Sequence, residues 1–278
     1  MNRWLRPVLF FATAFLPAAA WAEARNVVEE TATVERAIDG DTLVLTDGQR
    51  VRLDAVNALE IMRKPADLAK CLPSLRTGGR ADYGCDLTLA RTAQRELQQL
   101  TAGKTVKLRI NPQRRDDRYG RLLAQVLVTG SDGKVISVTE RLLADGLVHV
   151  YPLSGREIGT SELLPIEARA REQKLGIWQL PDLRPTPPEQ AQTRFGHYAL
   201  IEGKVLSAHR TKTAIQLNFG PEYRTDFTVQ VDKRDWSKFR SVDFRALQGK
   251  RILVRGYLYE DNGPAMRLTN DGQIAVKE

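Results

Sequence analysis

Apolar and polar residues alternate between Thr31 and Val56, and this pattern predicts a β-meander. The stretch "QRVRLDAV" has the period of two that is typical of strands with one buried face, and "TLVLT" is a short strand-like apolar run. Asp47-Gly48 lies between them, and this dipeptide favours a tight hairpin turn. Further along, "TVKLRI" and "RLLAQVLV" predict two more strands, and the first strand of the meander, which begins near Thr31, brings the number to five.

Three later stretches have the spacing of helices. "LARTAQRELQQL" repeats apolar residues on one helical face and is followed by Gly103. "SVTERLLADG" has Ser137 in the S-x-x-E spacing of a capping box and Gly146 at the position of a C-terminal cap. A third helix is predicted from Ser161 to Gly176, with Trp178 packed back onto the core. We therefore expect a mainly β fold with short helices (α+β), a five-stranded Greek-key barrel of the oligonucleotide-binding (OB) type.

A second domain is predicted beyond a proline-rich segment. "LPDLRPTPPEQAQT" holds four prolines, which favour an extended, stiff linker. After it, three strand-like stretches, a short helical piece and two more strand-like stretches predict a second, smaller OB-like β-barrel. The predicted division is a signal peptide at 1–22, a barrel domain at 23–180, a linker at 181–193 and a C-terminal domain at 194–278.

The first 22 residues have the pattern of a secretory signal peptide. Arg3 and Arg6 precede the apolar "PVLFFATAFLPAAA", and Ala20-Trp21-Ala22 is a small-x-small cleavage pattern. A membrane anchor is the alternative, but the apolar stretch is short and contains Pro17. We expect the protein to be exported and the signal to be removed, so that the mature chain is periplasmic or secreted. After removal of the signal, no stable insertion of the chain into the membrane is expected.

Export would place the two cysteines, Cys71 and Cys85, in an oxidising compartment. A single disulfide that closes a loop is the resulting prediction. The alternative, a metal-binding pair, lacks partner ligands, because the three histidines lie far away in the sequence.

The charge of the chain favours a polyanionic partner. The formal net charge is +8, and loss of the two signal arginines leaves +6. A solvated basic surface is the alternative. Most of this charge lies in 194–278, where aromatic residues are interleaved with Lys and Arg as in single-strand binding proteins. For each of these aromatic residues, however, packing in a barrel core is favoured over stacking on a base.

Residues suited to phosphodiester chemistry cluster at the predicted ends of the strands. Asp41, Arg52, Asn57 and Glu60 would meet at one rim of the barrel, and "DDRYGRLLA" presents further charged side chains in a tight turn. An oxygen-ligated cation, a carboxylate that activates water and two guanidiniums that hold a phosphoryl group are the parts this cleavage needs. Asp54 receives no role, and His149 is expected at the surface or half buried.

Five segments resemble the staphylococcal thermonuclease family in order and approximate spacing. They are "AIDGDTL", "RVRL" with its following glutamate, "DRYGRLLA", "LLADGLV" and "EARAREQKLGIW", and the likeness covers about Thr31 to Trp178. The resemblance implies a calcium-dependent nuclease on an OB barrel that acts on DNA and RNA. It also implies that Arg52 and Arg121 bind phosphate, that Glu60 is the general base, and that Arg118 and Tyr119 contact the substrate.

The calcium site implied by the resemblance is altered in this chain. Asp41 corresponds to a ligand of the ion, and Ala58 to a position that offers its backbone carbonyl. Asn57 and Leu59 stand where the family has aspartate and proline. An amide oxygen still binds calcium, but the site loses a negative charge, so weaker affinity is expected. Without the proline, Glu60 is expected to be held less firmly.

Two functions follow from these observations. The first is an exported, calcium-dependent nuclease of DNA or RNA with a weakened metal site. The alternative is an impaired nucleic-acid- or protein-binding module of the cell envelope. The sequence gives no prediction of the oligomeric state.

Overall fold

The computed structural model describes residues 27–61 and 87–277, except positions 153, 156, 223 and 240. The N-terminal part contains eight strands and three helices among these residues. They are β1 (Val28–Ala37), β2 (Thr42–Leu45), β3 (Arg50–Leu53), β4 (Val56–Ala58), α1 (Leu87–Thr101), β5 (Thr105–Ile110), β6 (Leu122–Thr129), β7 (Val135–Ser137), α2 (Val138–Ala144), β8 (Val148–Val150) and α3 (Thr160–Glu172).

Five of these strands close into a barrel. β1 pairs with β2 and β5, β2 with β3, and β5 with β6, all antiparallel, and the parallel pair of β3 with β6 completes the ring. Along these strands, side chains such as those of Val34, Leu43 and Val51 face the interior of the barrel and form a common core. Gly48 has a φ of 85°, as the predicted hairpin turn requires. The predicted five-stranded OB-type barrel is confirmed.

The three predicted helices are present, with one difference in length. Ser137 caps α2 by accepting from the backbone N–H of Glu140, and Gly146 follows with a φ of 66°. The third helix ends at Glu172 instead of Gly176, because the chain turns there with Lys174 and Gly176 at positive φ. This turn places Trp178 in the core, as predicted.

The proline-rich segment differs from the extended linker that its composition predicted. It contains two short 3-10 helices, Pro181–Leu183 and Pro188–Arg194, and Thr186 forms a bridge to Ile201. Leu183 and Ala191 are buried. Apolar residues between the prolines therefore fix this segment against the folded parts on either side.

The C-terminal strands repeat the strand connections of the first barrel. They are β9 (Tyr198–Lys204), β10 (Ser207–Arg210), β11 (Ala214–Asn218), β12 (Thr228–Asp232), β13 (Arg251–Glu260), β14 (Pro264–Arg267) and β15 (Ile274–Lys277). β12 pairs parallel with β14, as β3 does with β6, and β13 pairs antiparallel with β9 and β14. If β9 and β10 count as one interrupted strand, these pairs form a second closed ring. The helical piece, predicted around Phe239 to Leu247, is a 3-10 helix only at Arg245–Leu247, and a second 3-10 helix, Lys233–Lys238, precedes it.

The two barrels share a buried interface. An apolar cluster joins residues of the first barrel and the segment after it (Leu59, Ala170, Trp178 and Leu183) to residues of the second (Tyr198, Leu200 and Leu253). Beside it, Arg255 of β13 donates to both carboxylate oxygens of Glu167 in α3, at 2.9 and 2.7 Å. Both charged side chains are almost fully buried. No helix in the part of the chain described by the structure is long and apolar enough to cross a membrane.

Candidate active site

A cleft of about 690 Å³ lies where β3, β4 and the turn before β6 meet. Six of the side chains that the sequence assigned to catalysis, calcium or substrate line it: Arg52, Asn57, Glu60, Arg118, Tyr119 and Arg121. Residues that are up to 69 positions apart in the sequence are thus brought together by the parallel pair of β3 with β6.

Arg52 extends from β3 and connects two of the predicted calcium ligands. Its Nη2 donates to Oδ1 of Asn57 at 2.7 Å and lies 3.1 Å from Oδ2 of Asp41. Its Nη1 donates to the carbonyl of Leu53 at 3.1 Å. The side chain is therefore held in one orientation, with its charge facing a carboxylate and an amide oxygen.

Asp41 is buried at the start of β2, and both of its carboxylate oxygens have hydrogen-bond donors. Oδ2 accepts from the backbone N–H of Ala58 at 2.6 Å, and Oδ1 accepts from the hydroxyl of Thr42 at 3.0 Å. Burial raises the pKa of Asp41 to about 7, although the nearby charge of Arg52 lowers it. Asp39, whose carboxylate accepts from the N–H of Asp41, adds a like charge that raises this pKa further.

The predicted calcium ligands offer only hard oxygen donors, the chemistry that calcium prefers. Oδ2 of Asp41 and Oδ1 of Asn57 face one cationic group, the guanidinium of Arg52. The carbonyl of Ala58 accepts from Nδ2 of Asn57 at 3.1 Å. These oxygens fit a hard cation. For the cation to bind, Arg52 would have to release the oxygens of Asp41 and Asn57. Among the described residues, no three His, Cys, Asp or Glu side chains are grouped as for a metal site.

Arg121 is oriented by Asp117 within the turn before β6. Its Nε and Nη2 both lie 2.7 Å from Oδ2 of Asp117, and its backbone N–H donates to Oδ1 at 3.0 Å. Although burial opposes it, these hydrogen bonds and the one from Tyr119 lower the pKa of Asp117. Asp117 is thus an anion that holds a cation at the edge of the cleft.

Tyr119 and Arg118 lie on the open side of this turn. Tyr119 is 67% exposed. The Arg118 guanidinium lies 4.7 Å from its ring centroid, and Nη2 donates to its hydroxyl at 2.6 Å. An exposed ring beside two arginines can contact a sugar or a base next to a bound phosphate.

Glu60 is exposed at the cleft, directly after the buried Leu59. Leu59, in the position of the family's proline, belongs to the apolar cluster between the barrels. The residue before Glu60 is therefore fixed by packing. Cys71 and Cys85, with their predicted disulfide, and the predicted signal peptide lie outside the described residues.

Sequence reasoning gave no role to an ion pair that lines the cleft. Asp54 is buried, its Oδ1 accepts from Nη1 of Arg114 at 2.6 Å, and its Oδ2 accepts from the N–H of Ile158. Burial raises the pKa of Asp54, although Arg114 lowers it. The only signal in the sequence was a carboxylate at the end of a strand. Asp54 thus joins the end of β3 to the segment after β5 through Arg114, and to the segment before α3 through Ile158, beside the cleft.

The prediction that His149 lies at the surface or half buried is wrong. It is 1% exposed, and its ring lies 5.8 Å from that of Tyr151 and 5.4 Å from that of Tyr198. Burial lowers its pKa to about 4, although the charge of Glu167 raises it. The alternation of β8 could not reveal this, because the second barrel covers the face that would otherwise meet solvent.

One part of the cleft comes from the second barrel. Tyr257 of β13 lines it beside Tyr151, and the two hydroxyl oxygens are 2.7 Å apart. Tyr257 is one of the aromatic residues of the second barrel for which the sequence analysis favoured packing in the core. That preference is correct for Phe227 and Phe239, which are buried, and wrong for Tyr257.

Comparison with known proteins agrees with this geometry. Residues 50–180 match the model of a family described as staphylococcal nuclease homologue. The chain is 33% identical over 151 residues to the SPbeta prophage-derived endonuclease YokF of Bacillus subtilis (strain 168), which covers 52% of this chain and 43% of YokF. It is 35% identical over 152 residues to Endonuclease YncB of the same strain, covering 52% of this chain and 60% of YncB. The matches thus span less than two thirds of either relative.

Proposed function

We propose that the protein is a calcium-dependent nuclease of DNA or RNA, because residues 50–180 match the model of the staphylococcal nuclease homologue family. The observation that carries the proposal is the presence of Arg52, Glu60 and Arg121 in one cleft. A carboxylate and two guanidiniums around one space are suited to hydrolysis of a phosphodiester.

In this mechanism the phosphate binds between the two arginines. Their charges are permanent and their planar N–H groups can each bind two oxygens, so they stabilise the negative charge that develops on the phosphoryl oxygens. Asp117 fixes the orientation of Arg121 before substrate arrives. Binding to phosphate would draw Arg52 away from Asp41 and Asn57.

Glu60 acts on the water. As an exposed carboxylate at the cleft it can accept a proton from a water molecule that attacks phosphorus in line with the leaving oxygen. Asp41, Asn57 and the carbonyl of Ala58 would hold calcium, which would supply positive charge to the reaction.

Hydrolysis of a labelled single-stranded oligonucleotide across a calcium titration tests this proposal. Glu60→Gln and Arg121→Ala should each abolish cleavage while the far-UV spectrum stays native. Glu172→Gln and Arg50→Ala are matched controls, because these exposed side chains lie outside the cleft. Wild-type rates in Glu60→Gln, or no cleavage by the folded wild type at any calcium level, would overturn the proposal.

One observation favours the second candidate, a nucleic-acid-binding module without turnover. The oxygen of Asn57 that would bind calcium already accepts a hydrogen bond from Arg52. If that bond persists at every calcium concentration, the cleft would bind phosphate without cutting it. Salt-dependent oligonucleotide binding without cleavage, at calcium levels that saturate the site, would identify this function.

We further propose export to the periplasm or the medium, on the basis of residues 1–22 alone. Cell fractionation with an antibody against the C-terminal barrel, together with the mass of the recovered chain, would test this. Recovery of the chain inside the cell with residues 1–22 still attached would contradict this proposal.

A further inference from the structure

Tyr257 belongs to the second barrel but lines the cleft of the first. It lies in β13, opposite Tyr198 of β9, and shares the cleft with Arg52, Glu60 and Arg121. Tyr257 lies outside residues 50–180, the part of the chain that matches the family model, so the second barrel adds it to the cleft.

The position of Tyr257 is fixed by contacts of its hydroxyl and of its ring. Its hydroxyl shares a hydrogen bond with that of Tyr151 at 2.7 Å. Its ring meets the ring of Tyr198 edge to face, with centroids 5.6 Å apart. Tyr198 is itself buried and donates to the carbonyl of Val150 at 3.4 Å. These contacts hold the ring in one place without covering it.

The strand that carries Tyr257 is anchored to the first barrel. Arg255 lies two residues before Tyr257, so both side chains are on the same face of β13. Arg255 binds both carboxylate oxygens of Glu167 and donates to the carbonyl of Val150 at 3.2 Å. The second barrel is thus connected to the first through buried charge, and this fixes the ring of Tyr257 relative to the arginines of the cleft.

The exposure of Tyr257 argues against a role in packing alone. The side chain remains 51% exposed, whereas its neighbour Tyr198 is buried. Among the described residues, the exposed Phe, Tyr and Trp side chains are Tyr119, Phe195 and Tyr257. Two of the three line this cleft. An exposed ring close to guanidinium groups is the arrangement by which proteins bind single-stranded nucleic acid.

We propose that Tyr257 contacts an unpaired nucleobase of the substrate, next to the phosphate held by Arg52 and Arg121. This inference rests on the proposed function of the cleft as a nucleic-acid site. In a duplex both faces of a base are covered by its neighbours, so a ring contact of this kind selects single strands or unpaired ends. The second barrel would therefore contribute substrate preference to the first.

Oligonucleotide binding in the Glu60→Gln background separates this role from chemistry. The anisotropy of a fluorescent DNA 10-mer, single-stranded or as a duplex, would be compared for Tyr257→Ala, Tyr257→Phe and the parent. Loss of base stacking predicts affinity about 5- to 150-fold weaker for Tyr257→Ala. Tyr257→Phe keeps the ring and should bind within about twofold of the parent, since stacking needs the ring and not the hydroxyl. Phe195→Ala removes an exposed ring outside the cleft and serves as the matched control.

Three outcomes decide the inference. Selective loss of single-strand affinity in Tyr257→Ala, with rescue by phenylalanine, would support it even if the wild type does not cleave, a result that would overturn only the proposed hydrolysis. Unchanged affinity in Tyr257→Ala, in a chain whose wild type cleaves with calcium, would overturn the inference alone. Equal loss for single-stranded and duplex DNA, together with a lower melting temperature, would assign Tyr257 to packing and overturn it as well.

Discussion

Arg52 donates from Nη2 to Oδ1 of Asn57 at 2.7 Å, so one arginine contacts an oxygen assigned to calcium and lines the cleft assigned to phosphate. The same nitrogen lies 3.1 Å from Asp41. Calcium bound at the proposed site would compete with this guanidinium for both oxygens. Before substrate binds, the Arg52 guanidinium therefore occupies both oxygens. The phosphate of the substrate would draw this guanidinium away from them.

Asn57→Asp is expected to raise calcium affinity about tenfold, because it adds one negative charge to the ligand set. It also removes the amide that donates to the carbonyl of Ala58, which frees that oxygen. Isothermal titration calorimetry with calcium at neutral pH measures the change. Asn262→Asp adds the same charge outside the catalytic cleft and should leave calcium affinity unaltered.

An increased hydrolysis rate in Asn57→Asp at limiting calcium would link this site to catalysis. If calcium affinity instead stays at the parent value, Asn57 is not a ligand, and the calcium assignment of this set of oxygens fails.

Leu59→Ala should reduce kcat more than it changes KM. Leu59 is 3% exposed in the cluster between the barrels, and Glu60 follows it directly. Truncation leaves a cavity, costs about 2–5 kcal/mol of the free energy of unfolding and loosens the backbone that holds the base. Urea unfolding and steady-state hydrolysis measure the two effects.

The exposed Leu206 provides the matched control, since Leu206→Ala removes the same atoms without leaving a buried cavity. A Leu59→Ala variant that is destabilised but keeps its kcat would show that packing of Leu59 does not position Glu60.

Much of the first barrel could be predicted because its signals are local. The apolar run "TLVLT" defines β2, the alternation of "QRVRLDAV" defines β3, Asp47-Gly48 defines their turn, and Ser137 defines the start of α2. The grouping of Arg52, Glu60 and Arg121 also followed from the sequence, because the motifs around them keep the order of a known family.

The contributions of the second barrel could not be predicted from local patterns. The burial of His149, the packing of Leu59 and the exposure of Tyr257 all depend on how two rings of strands dock. Arg255 and Glu167 are 88 residues apart, and nothing in either local pattern indicates that they meet. The buried interface formed by this docking determines which residues of β13 reach the cleft.

The ion pair of Arg255 with Glu167 should show strong coupling in a double-mutant cycle. Each side chain is almost fully buried, and Glu167 also pairs with Arg171 at 3.1 Å. Removal of either member of the pair takes a buried charge from the other, at a cost of about 3–5 kcal/mol of unfolding free energy. Arg255→Met with Glu167→Gln should cost much less than the sum of the two changes, as measured by urea unfolding. Glutamine at 167 can still accept from the N–H of Val150, so this hydrogen bond is kept in the cycle.

Additive effects of the two substitutions would contradict this coupling. Arg251→Met is the control, since Arg251 pairs with Glu202 on an exposed part of the same strand, where an ion pair contributes little.

His149 should make the fold less stable as the pH falls from 7 to 4. Its pKa is about 4 in the folded state and about 6.5 when unfolded, so the unfolded chain binds more protons in this range. The stability that the neutral ring contributes is complete above pH 6.5 and is lost toward pH 4, by about 3 kcal/mol. Asp41, with its pKa raised to about 7, acts in the opposite direction, so the wild-type curve alone does not isolate the histidine. His149→Phe keeps an aromatic ring among Tyr151 and Tyr198 and should remove this loss. Urea unfolding of both chains without calcium, from pH 7 to pH 4, measures the difference, and His209→Phe serves as an exposed control. If the stability of His149→Phe and that of the wild type change in parallel with pH, the burial of a neutral ring is contradicted.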